Sequence, residues 1–182
     1  MKTRGFTLME LLIVLAVGVT FAGIGIPVAR SVLAKSRQAA CLNHLRSLGV
    51  SLESYLQDHQ QTLPILALGR SSKADESPVL ETVLMPYVEN PETFKCPQDQ
   101  KEFGKTGSSY LWNTTQNGLH ISKLWLPGIE NRPDKIPLII DKEAWHPDGA
   151  NYLYADQTVS NKARFAAGNS PAHSHVGSHP PP

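Results

Sequence analysis

The sequence predicts an α+β fold in which one long N-terminal helix packs on a small antiparallel β-sheet head. Residues 11–29 of the 182-residue chain carry no charged side chain, and roughly 20 apolar residues are enough to cross a bilayer. Apolar side chains then recur at three- and four-residue steps up to Leu56, which is typical of an amphipathic helix. The second half of the chain contains short β-type segments separated by turn residues, as in an antiparallel sheet.

The helix is predicted to begin at Phe6 and to continue to about residue 60, a rod of roughly 80 Å at 1.5 Å per residue. Pro27 lies inside it and removes one intrahelical hydrogen bond, so we expect a bend there. Leu63-Pro64 ends this spine. The apolar positions expected on the face toward the head are Val32, Leu33, Leu42, Leu45, Leu48, Leu52, Tyr55 and Leu56.

The head is predicted to combine one short helix with a small sheet. The helix begins at Pro78 and is broken by Pro86, and residues 94–97 follow as an extended segment. The predicted strands are 109–113, 136–141, 151–155 and 158–159, the last two joined by a tight turn at Asp156-Gln157.

Five segments follow from these patterns. They are a leader at 1–5, a transmembrane and assembly helix at 6–29, an amphipathic spine at 30–62, a head at 63–165 and a His/Pro-rich tail at 166–182. The tail lacks apolar residues to bury, so disorder is expected there. Its histidines could bind Zn²⁺ or Cu²⁺ weakly.

Charge and motifs exclude several classes of function. The formal net charge is +1, so the chain has no electrostatic footprint for nucleic acid. The sequence contains no Gly-x-Ser-x-Gly elbow, no His-Glu-x-x-His and no phosphate-binding glycine loop with a lysine. We therefore expect neither an enzyme nor a bound cofactor.

One carboxylate, Glu10, stands at the head of the apolar span. A charge within bilayer hydrocarbon costs about 2.5 to 3.5 kcal/mol on insertion scales, so Glu10 is interpreted as functional and in need of a cationic partner. An ordinary secretory signal is one alternative, although its apolar core spans about 7 to 15 residues. An uncleaved single-span anchor is another, but it leaves Glu10 unexplained.

The order Gly5, Phe6-Thr7-Leu8-Met9-Glu10 and a long apolar helix resembles the signal of type IV pilins and type II secretion pseudopilins. The resemblance implies a pilin-like fold, cleavage between Gly5 and Phe6 by prepilin peptidase, and N-methylation of Phe6. It also implies that Glu10 neutralises the N-terminus of a neighbouring subunit and that the segment before Pro27 loosens on assembly. In a single chain we expect Glu10 to be exposed and unpaired.

The same resemblance implies the partners and the location. The expected partners are other pilin-like subunits in a homo- or hetero-oligomeric filament, prepilin peptidase, and an inner-membrane assembly platform with a cytoplasmic ATPase. The N-terminus is expected in the cytoplasm and the head outside the inner membrane, although basic residues on both sides of the span leave the charge rule undecided. The alternative is a minor pilin whose head binds a surface or captures DNA.

A second resemblance comes from His146, which is followed after nine residues by Asp156. This spacing is similar to the His-x9-Asp-Gly signature of a large pilin-like group, and residues 41–49, 94–99 and 109–113 extend the similarity. Gln157 replaces the glycine. Because a tight Asp-Gly turn needs a positive φ at that position, we expect a different turn or a strained residue there.

The remaining candidates are two cysteines and three aspartates. Outside the cytoplasm Cys41 and Cys96 could form a disulfide, or they could be two unrelated buried thiols. The weak calcium candidates are Asp141, Asp148 and Asp156, for which turn capping is the commoner role. We also expect a hydrogen bond between His146 and Asp156, and most aromatic side chains of the strands in the core.

Overall fold

The computed structural model describes residues 7–165 as one long helix followed by a small head. Helix α1, Leu8–Asp58, has 51 residues, about 77 Å of helix at 1.5 Å per residue. The predicted α+β fold class is confirmed, with the helix ending at Asp58 rather than near residue 60. The predictions for the leader, for Phe6 and for the tail at 166–182 lie outside the described residues.

The two halves of α1 have different surroundings. Residues 8–33 are exposed along their whole length, whereas one face of the second half is buried from Gln38 onward. Val32 and Leu33 were expected on the buried face, but they are 62% and 50% exposed. This prediction was wrong because an apolar period marks a face of the helix and does not say where the head begins. The buried residues of α1 are Gln38, Cys41, Leu45, Leu48, Gly49, Ser51, Leu52 and Leu56.

Pro27 lies inside α1 without ending it. The helix is continuous on both sides of the proline, although proline has no amide hydrogen to donate to the preceding turn. The bend expected at Pro27 stays a prediction.

The segment between α1 and the sheet consists of short helical pieces. Helix α2, Leu80–Val83, begins two residues after Pro78, because Val79 takes the N-cap position and its amide donates to Thr82 Oγ1 at 3.0 Å. Pro86 follows in a 3₁₀ turn, Met85–Tyr87, so regular helix ends before it as predicted. A second 3₁₀ turn, Pro91–Phe94, precedes Cys96. Helix α3 is Glu102–Thr106.

The sheet is an antiparallel meander in the order β1-β2-β3-β4. Its strands are Tyr110–Trp112, Pro137–Asp141, Tyr152–Tyr154 and Val159–Ser160. All four predicted strands are therefore confirmed to within one or two residues at each end. Ile139 of β2 stands opposite Trp112 of β1 and Leu153 of β3, and these three side chains are fully buried.

The aromatic residues are only partly where the sequence places them. Tyr110, Trp112 and Tyr154 are buried, as expected for core residues, whereas Trp125 is 56% exposed.

Gly49 gives the sheet close access to α1, because a Cβ at this position would lie 3.1 Å from Leu153 Cδ1.

The turn between β3 and β4 confirms the expected strain. Gln157 adopts a φ of 65°, the left-handed region, which costs a non-glycine residue about 1 to 2 kcal/mol. Asp156 stabilises the turn by accepting hydrogen bonds from the amide and hydroxyl of Thr158, at 3.0 and 2.6 Å.

Candidate functional site

The N-terminus of α1 is organised by Thr7 and Glu10. Thr7 is the N-cap, and its hydroxyl accepts the Glu10 amide at 3.2 Å. The Thr7 amide and hydroxyl in turn donate to Glu10 Oε2 at 2.9 and 3.0 Å. This reciprocal pair is a capping box.

The capping box corrects one expectation about Glu10. Its side chain is exposed, as predicted, but it is hydrogen-bonded to Thr7 rather than unpaired. The signal was present in the sequence, since a Thr three residues before a Glu ahead of an apolar run is typical of a helix start. A carboxylate accepts up to about four hydrogen bonds, so the cap leaves Glu10 able to bind a cation as well.

The chemical setting of Glu10 is apolar. Its neighbours Leu8, Met9 and Leu11 are more than half exposed, and the helix behind them is long and apolar enough to cross a membrane. The geometry therefore places one carboxylate at the end of an uncovered apolar rod.

Comparison with known proteins agrees with this geometry. Residues 1–26 match the family described as the prokaryotic N-terminal methylation motif. The chain carries the type IV pilin/pseudopilin signal. This signal supports a pilin-like substrate of prepilin peptidase, with cleavage and methylation implied by the motif. No curated protein and no solved structure matches it.

The processing residues of the pilin-like chain, Gly5 and Phe6, lie outside the described residues. Cleavage between them, methylation of Phe6 and the assembly roles of Glu10 and Pro27 stay predictions.

A second constellation lies in the head, where four distant segments meet. Cys41 of α1, Cys96 after the Pro91–Phe94 turn, Asp141 at the end of β2 and His146 in the following loop are all buried. Cys96 Sγ is 3.2 Å from His146 Nε2, and Asp141 Oδ2 is 3.5 Å from the same nitrogen. Cys41 Sγ lies 3.4 Å from Asp141 Oδ1 and 3.4 Å from the Tyr110 hydroxyl.

The two cysteines are neighbours in this cluster and are free thiols. The two sulfur atoms and a ring nitrogen of His146 lie within 4.8 Å of one another. The S–S bond of a disulfide is about 2.05 Å long. The predicted Cys41–Cys96 disulfide is not formed in this structure and stays a prediction.

Burial and mutual hydrogen bonding shift the pKa values in the cluster. Burial raises the pKa of Asp141 to about 7. The hydrogen bond with Cys41, together with His146 and the Gln98 amide, lowers the pKa of Cys96 to about 5. The same hydrogen bond, followed by burial, raises the pKa of Cys41. Burial alone would lower the pKa of His146, but Cys96 and Asp141 outweigh it and raise this pKa.

The three calcium candidates do not share a site in the described part of the chain. Asp141 belongs to the cysteine cluster, Asp148 accepts from Asn161 Nδ2 at 3.0 Å, and Asp156 caps its own turn. Among residues 7–165 the group that could hold a metal is Cys41, Cys96 and His146. Calcium binding stays an untested prediction.

The predicted partner of His146 is wrong. The expected hydrogen bond to Asp156 is replaced by contacts with Asp141 and Cys96. Sequence spacing did not reveal this, because Asp156 lies beyond β3 while Asp141 is brought next to His146 by the end of β2.

Proposed function

We propose that the protein is a structural subunit of a type IV pilus-like or type II secretion pseudopilus filament. In this proposal residues 6–29 anchor the unassembled subunit in the inner membrane, with the N-terminus in the cytoplasm and the head outside. The observation that carries the proposal is the exposed apolar half of α1, residues 8–29. No part of its most apolar window is buried, and most of it lies within the matched residues 1–26.

An exposed apolar helix surface of this length is expected to be buried against lipid or protein. Contiguous exposed apolar surface marks a membrane or protein contact, and a helix satisfies its own backbone hydrogen bonds, so it is stable both in lipid and in a bundle. Before assembly, lipid surrounds this apolar surface. In the filament, the equivalent helices of neighbouring subunits pack against it. The same surface therefore serves both states.

Glu10 gives this assembly its register. Cleavage after Gly5 frees the amine of Phe6, and that amine pairs with Glu10 of a neighbouring subunit. A buried ion pair is retained for specificity more than for net stability, and breaking one costs several kcal/mol. Thr7 contributes by holding the carboxylate at the start of the helix, where the incoming amine can reach it.

No catalytic activity is proposed for the chain. The matched signal belongs to a structural rather than an enzymatic class of protein. The proposed partners are other pilin-like subunits, prepilin peptidase and an inner-membrane assembly platform.

The proposal is tested with Glu10→Gln, which keeps the side-chain shape and removes the charge. Processing is expected to continue, so intact mass spectrometry of the membrane form should show a chain lacking residues 1–5 and carrying one methyl group. The yield of sheared filaments should fall by more than about tenfold, because each neighbouring amine is left unpaired in an apolar bundle.

The matched control is Glu53→Gln, which changes a carboxylate of the same helix outside the apolar half. It should leave both processing and filament yield unchanged. A normal filament yield from Glu10→Gln would refute the pairing role, and an intact Met1 in the membrane form would refute the cleavage.

A further inference from the structure

We propose that Cys41, Cys96, His146 and Asp141 form a closed four-ligand site for a zinc-type divalent metal ion within the head. The proposal is independent of filament assembly, since it rests on the buried cluster alone. Two thiolates, one imidazole and one carboxylate are donor types that Zn²⁺ takes in proteins, and four protein ligands without an open position are typical of a structural site.

The spacing of the donor atoms fits a tetrahedral ion. Zn–S bonds of about 2.3 Å and Zn–N or Zn–O bonds of about 2.0 to 2.2 Å, at tetrahedral angles, place neighbouring donors about 3.3 to 3.8 Å apart. The observed separations are 3.2 Å for Cys96 Sγ to His146 Nε2, 3.4 Å for Cys41 Sγ to Asp141 Oδ1 and 3.5 Å for Asp141 Oδ2 to His146 Nε2. Cys41, Cys96 and His146 thus supply three donors within 4.8 Å of one another. Asp141 lies beside them, with Oδ1 toward Cys41 and Oδ2 toward His146, and rotation of its carboxylate would bring one oxygen into the fourth position.

Within the described residues 7–165, His146 is the one cationic side chain that pairs with the acidic groups of the cluster. The side chains of His146 and Asp141 are 0% exposed, and among residues 7–165 the ion-pair partner of Asp141 is His146. Burying acidic groups in this way is costly unless a cation or hydrogen bonds compensate for it. A divalent ion would neutralise two of the negative charges that ligation creates.

The polar contacts around the cluster suit a metal site. The Tyr110 hydroxyl lies 3.4 Å from Cys41 Sγ, and the backbone N–H of Asn151 donates to Asp141 Oδ2 at 2.8 Å. Such outer hydrogen bonds orient the ligand side chains and change the basicity of the donor atoms. His146 Nδ1 is buried with no hydrogen-bond partner in the described part of the chain. The ring is therefore oriented by the contacts of Nε2 within the cluster, without the outer hydrogen bond that most metal-bound imidazoles make.

A disulfide is the competing use of the two sulfur atoms. Forming it removes two thiol protons and two electrons, consumes both cysteines, and leaves His146 Nε2 with Asp141 and Asp141 with His146 and the backbone amide of Asn151. A metal ion uses all four donors and releases the thiol protons without a redox step. It would join α1, the segment at Cys96, β2 and the loop at His146, which fixes the spine to the head.

The test uses the full mature chain in detergent, purified with reductant, loaded with Zn²⁺ and desalted. Elemental analysis should find about one zinc per chain, as expected for a four-ligand structural site. His146→Gln and Cys96→Ser should each lose the ion. The matched controls are His120→Gln, an exposed histidine of the head, and a chain with His173, His175 and His179 replaced by Gln, and both should retain it.

Loading wild-type chain with Co²⁺ keeps the test decisive if a ligand variant fails to fold. A thiolate-to-cobalt charge-transfer absorption that Zn²⁺ abolishes supports the site without any substitution. Three results would overturn the proposal: zinc lost with the three tail histidines, free thiols without bound metal, or a non-reduced mass two hydrogens lower with neither cysteine labelled.

Discussion

Gln157 is one of four non-glycine residues with a positive φ in the described part of the chain. It holds a φ of 65° in a hairpin where glycine would be unstrained. Its carboxamide also lies over α1, since a Cβ on Gly49 would come 2.6 Å from Gln157 Oε1. Gln157 therefore adopts a strained backbone conformation while its side chain contacts α1.

We expect Gln157→Gly to raise the free energy of unfolding by about 0.5 to 1 kcal/mol, because relief of the left-handed conformation outweighs loss of a contact without a hydrogen bond. Urea unfolding of the mature chain measures the change. Ser160→Gly in β4 is the control and should lower stability, because glycine weakens a strand. A stability loss in Gln157→Gly would show that the contact with α1 is the stronger effect.

Helix α1 has an exposed first half and a second half that is stabilised by packing of its buried face against the head. Leu48 is 0% exposed and Val50, two residues later, is 69% exposed. We expect Leu48→Ala to cost about 2 to 5 kcal/mol through the cavity it leaves, and Val50→Ala to change stability by less than about 0.5 kcal/mol. Thermal unfolding of both variants in the same detergent measures the difference.

Equal effects of these two substitutions would contradict the packing of α1 on the sheet. A large effect of Val50→Ala confined to filaments, with none in the isolated chain, would instead place Val50 in a contact between subunits.

Elements were more predictable than sites because they are encoded locally. The helix and the four strands follow from apolar periods and turn residues within windows of a few residues. The exposure of Val32 did not follow, since a period does not identify the partner of a face. The cluster around His146 did not follow either, because Cys41, Cys96 and Asp141 come from separate segments that only the folded head brings together.

At the scale of the whole molecule, the structure separates the exposed apolar half of α1 from the packed head. The apolar half of α1 lies within residues 8–33, which are exposed along their whole length, whereas the second half shares its core with β1, β2 and β3. Substitutions in the metal-ligand cluster should therefore change the stability of the head without removing the apolar surface, and substitutions at Glu10 should lower filament yield without changing the stability of the head.

The charge of the whole subunit favours repeated stacking of like copies. The formal charge is +1, and removal of Lys2 and Arg4 with the leader gives 1 − 2 = −1 for the side chains of the mature chain. Self-repulsion grows with net charge, so a nearly neutral subunit is suited to a filament made mainly of itself. This supports a filament built of repeated copies of the subunit, as a major structural role requires.

We accordingly expect this chain to be the most abundant pilin-like protein in sheared filaments, and its deletion to abolish them. Quantitative mass spectrometry of purified filaments against a labelled standard of the mature chain measures its share. The control is the same count in the membrane fraction, which separates scarcity in the filament from low expression. A scarce chain whose deletion leaves filaments intact would contradict a major structural role and would favour the minor pilin with a binding head.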